Sequence, residues 1–198
     1  MINKTIFRQY DIRGIVNEDL TQENSKLIGY FLGLTIKEKS SDNPHVIVGY
    51  DIRTHSNMLF QALISGLNLS GCTILNIGLV ATGVNYFASF QEFFIANQKI
   101  KPNASIMITG SHNAKKYNGF KITINNEPFF GDELLALYER ILKNQNIESL
   151  IIDLRNNGGG IVDEATAIAD LFTDKGSTLL ITKDKDGNED ITYAESDK

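Results

Sequence analysis

Residues Ala104–Lys121 read ASIMITGSHNAKKYNGFK, and this stretch decides the fold. Ala104–Thr109 is short, mostly apolar and rich in β-branched side chains, the composition of a buried strand. It runs into a polar loop, Gly110–Gly119, after which Phe120–Ile124 resumes a strand pattern. Outward toward the N-terminus, His45–Tyr50 (HVIVGY) and Thr73–Gly78 (TILNIG) predict two more strands. The intervening segments change period. Leu20, Leu27, Ile28, Phe31, Leu32 and Ile36 mark one buried helical face over residues 20–39, with Thr21 as N-cap. Residues 57–69 return to helical spacing behind Ser56 as a cap, and the aromatic-rich residues 82–96 predict a third helix. Asn97–Asn103 is a polar connection. Outward toward the C-terminus, Phe120–Ile124 and Pro128–Phe130 flank Asn125-Asn126-Glu127 as a hairpin, and Asp132–Leu142 predicts a helix capped by Asp132. The pattern then restarts. Leu150–Leu154 predicts a strand, Arg155–Gly160 (RNNGGG) a glycine turn and Ile161–Phe172 a helix. Leu179–Thr182 and Asp190–Tyr193 form a hairpin around Asp186-Gly187. This alternation predicts an α/β fold: three α/β/α layers around a mostly parallel or mixed sheet, extended by a C-terminal β-α-β-hairpin unit. Polar Lys143–Glu148 is the candidate boundary, dividing residues 1–146 from 147–198.

The 198 residues suit one domain, or a domain and a piece of another. A net charge of -5 excludes nucleic acid or an anionic membrane as the main partner. The lone Cys72 excludes an intramolecular disulfide framework and a cysteine-rich zinc site, and points to a reducing cytoplasm. It opens a strand-like run, so a buried packing role is expected. No apolar run reaches the length of a membrane span, and no signal peptide is expected behind Met1-Ile2-Asn3-Lys4-Thr5. Three prolines are few, since average usage of ~5% would give about ten.

Within the opening stretch, Ser111 directly follows a strand, and strand ends of open α/β sheets are where ligands bind. Lys115, Lys116 and Lys121 place positive charge near it, which suits a phosphoryl group, and His112 and Asn113 add donors. Spacing alone also allows an ordinary solvated loop. Two further polar clusters stand out: Phe7–Gly14 (FRQYDIRG) and Gly49–Arg53 (GYDIR). In each, an arginine two positions after an aspartate reads by itself as a local salt bridge.

Taken together, FRQYDIRG, GYDIR and SHN–YNGFK resemble the α-D-phosphohexomutases, the phosphomannomutase/phosphoglucomutase family, in order and approximate spacing. The resemblance covers about residues 2–143 and corresponds to the first of that family's four domains. It implies that Ser111 is the serine phosphorylated in the active enzyme, with a phosphate oxygen joining bound Mg²⁺. Lys121 resembles the lysine beside the transferring phosphoryl, and Arg13 the arginine that contacts the reacting group. His112 and Asn113 resemble residues that order the serine loop, and Tyr10 a position near the substrate cleft. A hexose phosphate would be the partner, interconverted between its 1- and 6-phosphates.

Other parts of that family's site have no counterpart in these residues. No DGDxDR-type metal loop occurs, so Mg²⁺ is expected to bind weakly or not at all. Asp184 and Asp186 read as turn carboxylates, and their spacing fails that of an EF-hand. The third- and fourth-domain sugar and phosphate loops are also missing, so little or no mutase turnover is expected. Ala114 stands where the family carries proline, and Thr82-Gly83 replaces a Thr-Pro. Both changes predict looser loops and an uncertain posture for Ser111.

Residues 147–194 instead resemble the core of S41 carboxy-terminal processing proteases through LIIDLRNNGGGIVDEATAIADLF and the hairpin after it. That resemblance implies an oxyanion-region backbone at or near Gly159. The nucleophilic serine and its lysine lie beyond the matching region, so peptidase activity is not expected. Two truncated families in one chain suggest a chimera, by natural fusion or by design, whose tail docks on the first unit with little independent catalysis.

Overall fold

The computed structural model describes residues 2–95, 97–145, 155 and 158–196. Cα proximity divides the chain into two units, Met1–Glu148 and Ser149–Lys198, and each is described by itself. After a short 3-10 turn at Lys4–Ile6, the first unit runs β1 (Ile12–Ile15), α1 (Gln22–Lys39), β2 (His45–Tyr50), α2 (Ser56–Leu69), β3 (Thr73–Leu79) and α3 (Thr82–Ala88). It continues with β4 (Phe93–Ile95), β5 (Gln98–Ile100), β6 (Ala104–Ile108), β7 (Tyr117–Ile124), β8 (Glu127–Pro128) and α4 (Asp132–Gln145).

Six strands form one sheet in the order β1-β7-β6-β2-β3, with β8 paired to β7. β2 runs parallel to β3 and β6, and β7 runs antiparallel to β6 and β1, so the sheet is mixed. The two central parallel strands are buried on both faces, as helix cover above and below requires. On one face Val46, Val48, Ile106, Ile108 and Phe120 pack with Ile28, Leu32, Leu59, Leu63, Leu134 and Ile141 of α1, α2 and α4. On the other, Ile47 and Leu75 pack with Ala88 of α3. The expected three layers are present, the second helical layer being thin.

Local chemistry explains most element ends. Thr21 Oγ1 accepts from the Asn24 amide at 3.1 Å, capping α1. The hairpin between β7 and β8 turns on Asn125 (φ 53°) and Asn126 (φ 65°), both left-handed as a two-residue turn demands. α1 and α2 cross with backbones in near contact. A Cβ on Gly66 would lie 2.0 Å from the Lys26 carbonyl oxygen, so only glycine permits that approach. Cys72 is buried, with its Sγ 3.5 Å from Ser70 Oγ; burial pushes its thiol pKa up against the smaller pull of Ser70 and Lys37.

Several expectations need correction. The aromatic helix ends at Ala88 rather than 96. Ser89 Oγ donates to the Tyr86 carbonyl at 2.7 Å, and Phe90 and Gln91 close tight three-residue bonds to Phe87 and Ala88. Phe93–Ile95 and Gln98–Ile100 then pair as a hairpin with Asn97 at φ 63°, so part of the polar connection is strand. Ser56 does not cap α2. It is the first helical residue, buried, and its hydroxyl donates to Asp51 Oδ1 at 2.6 Å. Asp132 likewise lies inside α4, after Gly131 at φ 58°.

In the second unit, Val162–Asp170 forms α5, and β9 (Thr178–Lys183) pairs antiparallel with β10 (Glu189–Tyr193). The Asp184 carboxylate accepts from the Asp186 and Asn188 amides at 2.9 Å each and closes the hairpin tip. The strand expected at Leu150–Leu154 lies outside the described residues. Among the described residues, no helix is long and apolar enough to cross a membrane.

Candidate functional site

β2 and β6 are parallel neighbours whose last residues, Tyr50 and Ile108, pair. Their C-terminal ends therefore open on the same edge, and the segments leaving them, Asp51–His55 and Thr109–Lys116, meet there. Tyr117 restarts the chain as β7, and β1 pairs with β7 so that Arg13 lies opposite Gly119. Two segments distant in sequence, β1 and Asp51–His55, thus converge on the loop between β6 and β7.

Ser111 sits at φ 50°, a left-handed conformation that costs a non-glycine residue about 1–2 kcal/mol. Such a posture persists where its surroundings over-determine it, and they do. The Ser111 amide donates to Thr109 Oγ1 at 2.8 Å, and Thr109 Oγ1 donates to Asp51 Oδ2 at 2.8 Å. Arg13, buried, donates from Nη1 to the Gly110 carbonyl at 2.7 Å and to Asn113 Oδ1 at 2.8 Å, while Nη2 pairs with Asp11. Lys121 Nζ reaches the same Asp11 carboxylate at 3.0 Å. Arg53 donates to the carbonyls of Ser111, Asn113, Ala114 and Tyr117.

A second layer braces these groups. His55 Nδ1 accepts from the Asn118 amide nitrogen at 3.0 Å, which leaves Nε2–H to donate to the Lys115 carbonyl at 2.9 Å. Asn118 Nδ2 also donates to Ser56 Oγ at 2.9 Å, and Ser56 donates to Asp51. Burial pushes the Asp51 carboxyl up. Hydrogen bonds from the Ser56 and Thr109 hydroxyls and the Arg53 and Gly110 amides outweigh it and hold Asp51 below the usual aspartate range.

Of the expected site residues, Ser111, Arg13, Asn113 and Lys121 are drawn together by these bonds. His112 is exposed on the loop, with its Nδ1 3.4 Å from Ser111 Oγ. Tyr10 is not part of the network: it is exposed, its ring stacked on Phe130 with centroids 6.4 Å apart. At Ala114, where a looser loop is expected, the carbonyl accepts from Arg53 at 3.0 Å. Sequence reasoning took the Asp51–Arg53 pair as a local salt bridge. That bridge exists at 3.4 Å, but the same arginine also ties the loop, and Asp51, His55 and Asn118 were missed. The available signal was an Asp-x-Arg leaving the strand beside the serine strand.

Asp11 and Asp51 are committed to cations, hydroxyls and amides, and among the described residues no group of three His, Cys, Asp or Glu side chains could hold a metal. Asp184 is spent on its turn, with Asn188 Nδ2 donating to it at 2.8 Å. Gly159 stands at φ 101°, in the left-handed region open to glycine.

Comparison with known proteins places this geometry. Residues 4–148 match the family model described as phosphoglucomutase/phosphomannomutase, alpha/beta/alpha domain I. Residues 122–198 match the peptidase family S41 model, so that match reaches back into the first unit instead of starting at 147. A phosphomannomutase/phosphoglucomutase of Pseudomonas syringae pv. tomato is 40% identical over 145 residues, 73% of this chain and 29% of that protein. A phosphoglucosamine mutase of Prochlorococcus marinus is 32% identical over 158 residues, 78% of this chain and 32% of that protein. The crystal structure of a phosphoglucomutase/phosphomannomutase family protein from Burkholderia thailandensis superposes with a TM-score of 0.69 at 33% identity, covering 73% of this chain and 31% of that one. The chain spans less than a third of each of these relatives.

Proposed function

The chain belongs to the phosphoglucomutase/phosphomannomutase family through its α/β/α domain I, and on that premise we propose that Ser111 is a phosphoryl acceptor and donor for hexose phosphates. The observation that carries this reading is the posture of Ser111: an exposed residue on a strained turn at the ends of parallel strands, its carbonyl accepting from Arg53, its amide donating to Thr109 Oγ1, and its neighbour Gly110 accepting from Arg13. In the proposed step the Ser111 Oγ–P bond forms as a sugar P–O bond breaks. The serine gives up its proton and the departing sugar oxygen takes one up. Lys121 and Arg13 balance charge near the transferring group, His112 and Asn113 order the loop, and Tyr10 stands toward the sugar side. A phosphorylated Ser111 would offer one oxygen to Mg²⁺. Sustained mutase turnover needs metal ligands and sugar clamps beyond those described, so the 198-residue chain is expected to accept phosphate, bind hexose phosphate weakly and turn over little.

The peptidase-family match over residues 122–198 supports reading the chain as a chimera in which the tail is a structural unit. A generic peptide should remain uncut, and cleavage abolished by changing Gly159 would overturn that part.

Intact-mass spectrometry after incubation with glucose 1,6-bisphosphate and Mg²⁺ tests the main reading. A phosphate adduct that disappears in Ser111→Ala is expected. Absence of any adduct after long incubation would sink it.

A further inference from the structure

A guanidinium carries five N–H donors, and four of those of Arg53 make hydrogen bonds to the serine loop. Nη1 donates to the carbonyls of Ala114 and Tyr117 at 3.0 Å each. Nη2 donates to those of Ser111 at 2.9 Å and Asn113 at 2.7 Å. Nε faces Asp51 Oδ2 at 3.4 Å. Both terminal nitrogens are thus spent on the loop, so Arg53 is built to hold the loop more than to clamp a substrate. Its four acceptors span the serine loop from Ser111 to the first residue of β7. Gly110 makes room for it: a Cβ there would lie 2.3 Å from Arg53 Cζ.

The consequence follows from peptide geometry. The described chain has no cis peptide bond, and in a planar trans peptide the C=O and the following N–H point in opposite directions. Drawing the carbonyls of Ser111, Asn113 and Ala114 onto Arg53 therefore turns the amides of His112, Ala114 and Lys115 away from it. None of those three amides donates to an acceptor among the described residues. The carbonyl side of the loop is thus tied to Arg53, and these three amides face away from it.

We propose that Arg53 is a positioning residue for phosphoryl transfer at Ser111. By gathering four loop carbonyls it fixes the backbone that carries the Ser111 hydroxyl. This rests on the reading of Ser111 as phosphoryl acceptor.

The test compares the full chain with Arg53→Lys, which keeps the charge but lacks the planar fork of donors. The Asn113 and Tyr117 amides close turns inside the loop, to the Gly110 and Ala114 carbonyls at 3.0 Å each. Their hydrogen exchange should accelerate about tenfold or more, with exchange at Ile47 and Leu63 unchanged. The rate of phosphate incorporation from glucose 1,6-bisphosphate should fall about a hundredfold. Methylguanidinium added to Arg53→Ala should restore part of that rate, which a general loss of stability would not allow. Gly110→Ala should reproduce both effects by displacing the guanidinium, and it serves where the Arg53 variants do not fold. Wild-type loop exchange and wild-type phosphorylation in a folded Arg53→Lys or Gly110→Ala chain overturn the proposal. If the unaltered protein takes up no phosphate, the acceptor reading fails. Loop exchange then still decides whether Arg53 holds the loop.

Discussion

Helix α1 buries Ile28, Phe31, Leu32 and Ile36, whereas α5, which also carries apolar residues at helical spacing, buries none of its nine. Ile161, Val162, Ile168, Leu171 and Phe172 around α5 are all more than half exposed. Among the described residues after Glu148, only Ala194 is buried. Both regions follow strand, turn, helix and hairpin patterns, and both match a known family. The difference teaches that an apolar stripe states which face seeks cover without stating what supplies it. In the first unit the cover is a second helix and a sheet, and the enclosed layers give the serine loop a rigid base.

Mutations can break that contrast. The largest effect is expected at Leu63, fully buried where α2 meets α1 and the sheet. Leu63→Ala should destabilise the first unit by about 2–5 kcal/mol, read by denaturant unfolding of the whole chain with a probe in α1 or α2. Gly66→Ala attacks the same crossing by overpacking against backbone and should cost about 1–3 kcal/mol; an unchanged midpoint would mean that the helices are not in contact at Gly66. Acid gives a smaller and more local effect. The Asp51 pKa is lowered in the folded state, so its contribution is present above the ordinary aspartate value of about 3.9 and is lost as pH falls through the folded value. Amide exchange in residues 109–117 should therefore speed up below that range, and Asp51→Asn should remove the dependence. Smallest of all, Ile168→Ala should leave unfolding of the first unit unchanged and shift overall stability by less than about 0.5 kcal/mol. A loss comparable to that of Leu63→Ala would erase the difference between the two regions.

Much of this was legible in one dimension. Strand β2 falls on the residues its β-branched run marks, α1 begins behind the threonine that caps it, and the asparagine pair after β7 turns the chain. Each of these depends on neighbours a few positions away. The aromatic run failed as a helix because a serine hydroxyl and strand pairing claimed its second half. At Ala114, where the family carries proline, the carbonyl accepts from a distant side chain, Arg53, which no local pattern indicates.

The amino-acid order by itself determined the alternation of strands and helices, the family motifs and Ser111 as the residue to watch. Those are properties of short-range sterics, periodicity and capping, which a linear pattern carries. Only the tertiary structure decided what Arg53 does, because its four carbonyl partners lie 58 to 64 positions away. They meet it only after β2 and β6 align in parallel and bring their ends together. It also decided which apolar helix is enclosed, for burial depends on a facing surface in space and not on the helix's own sequence.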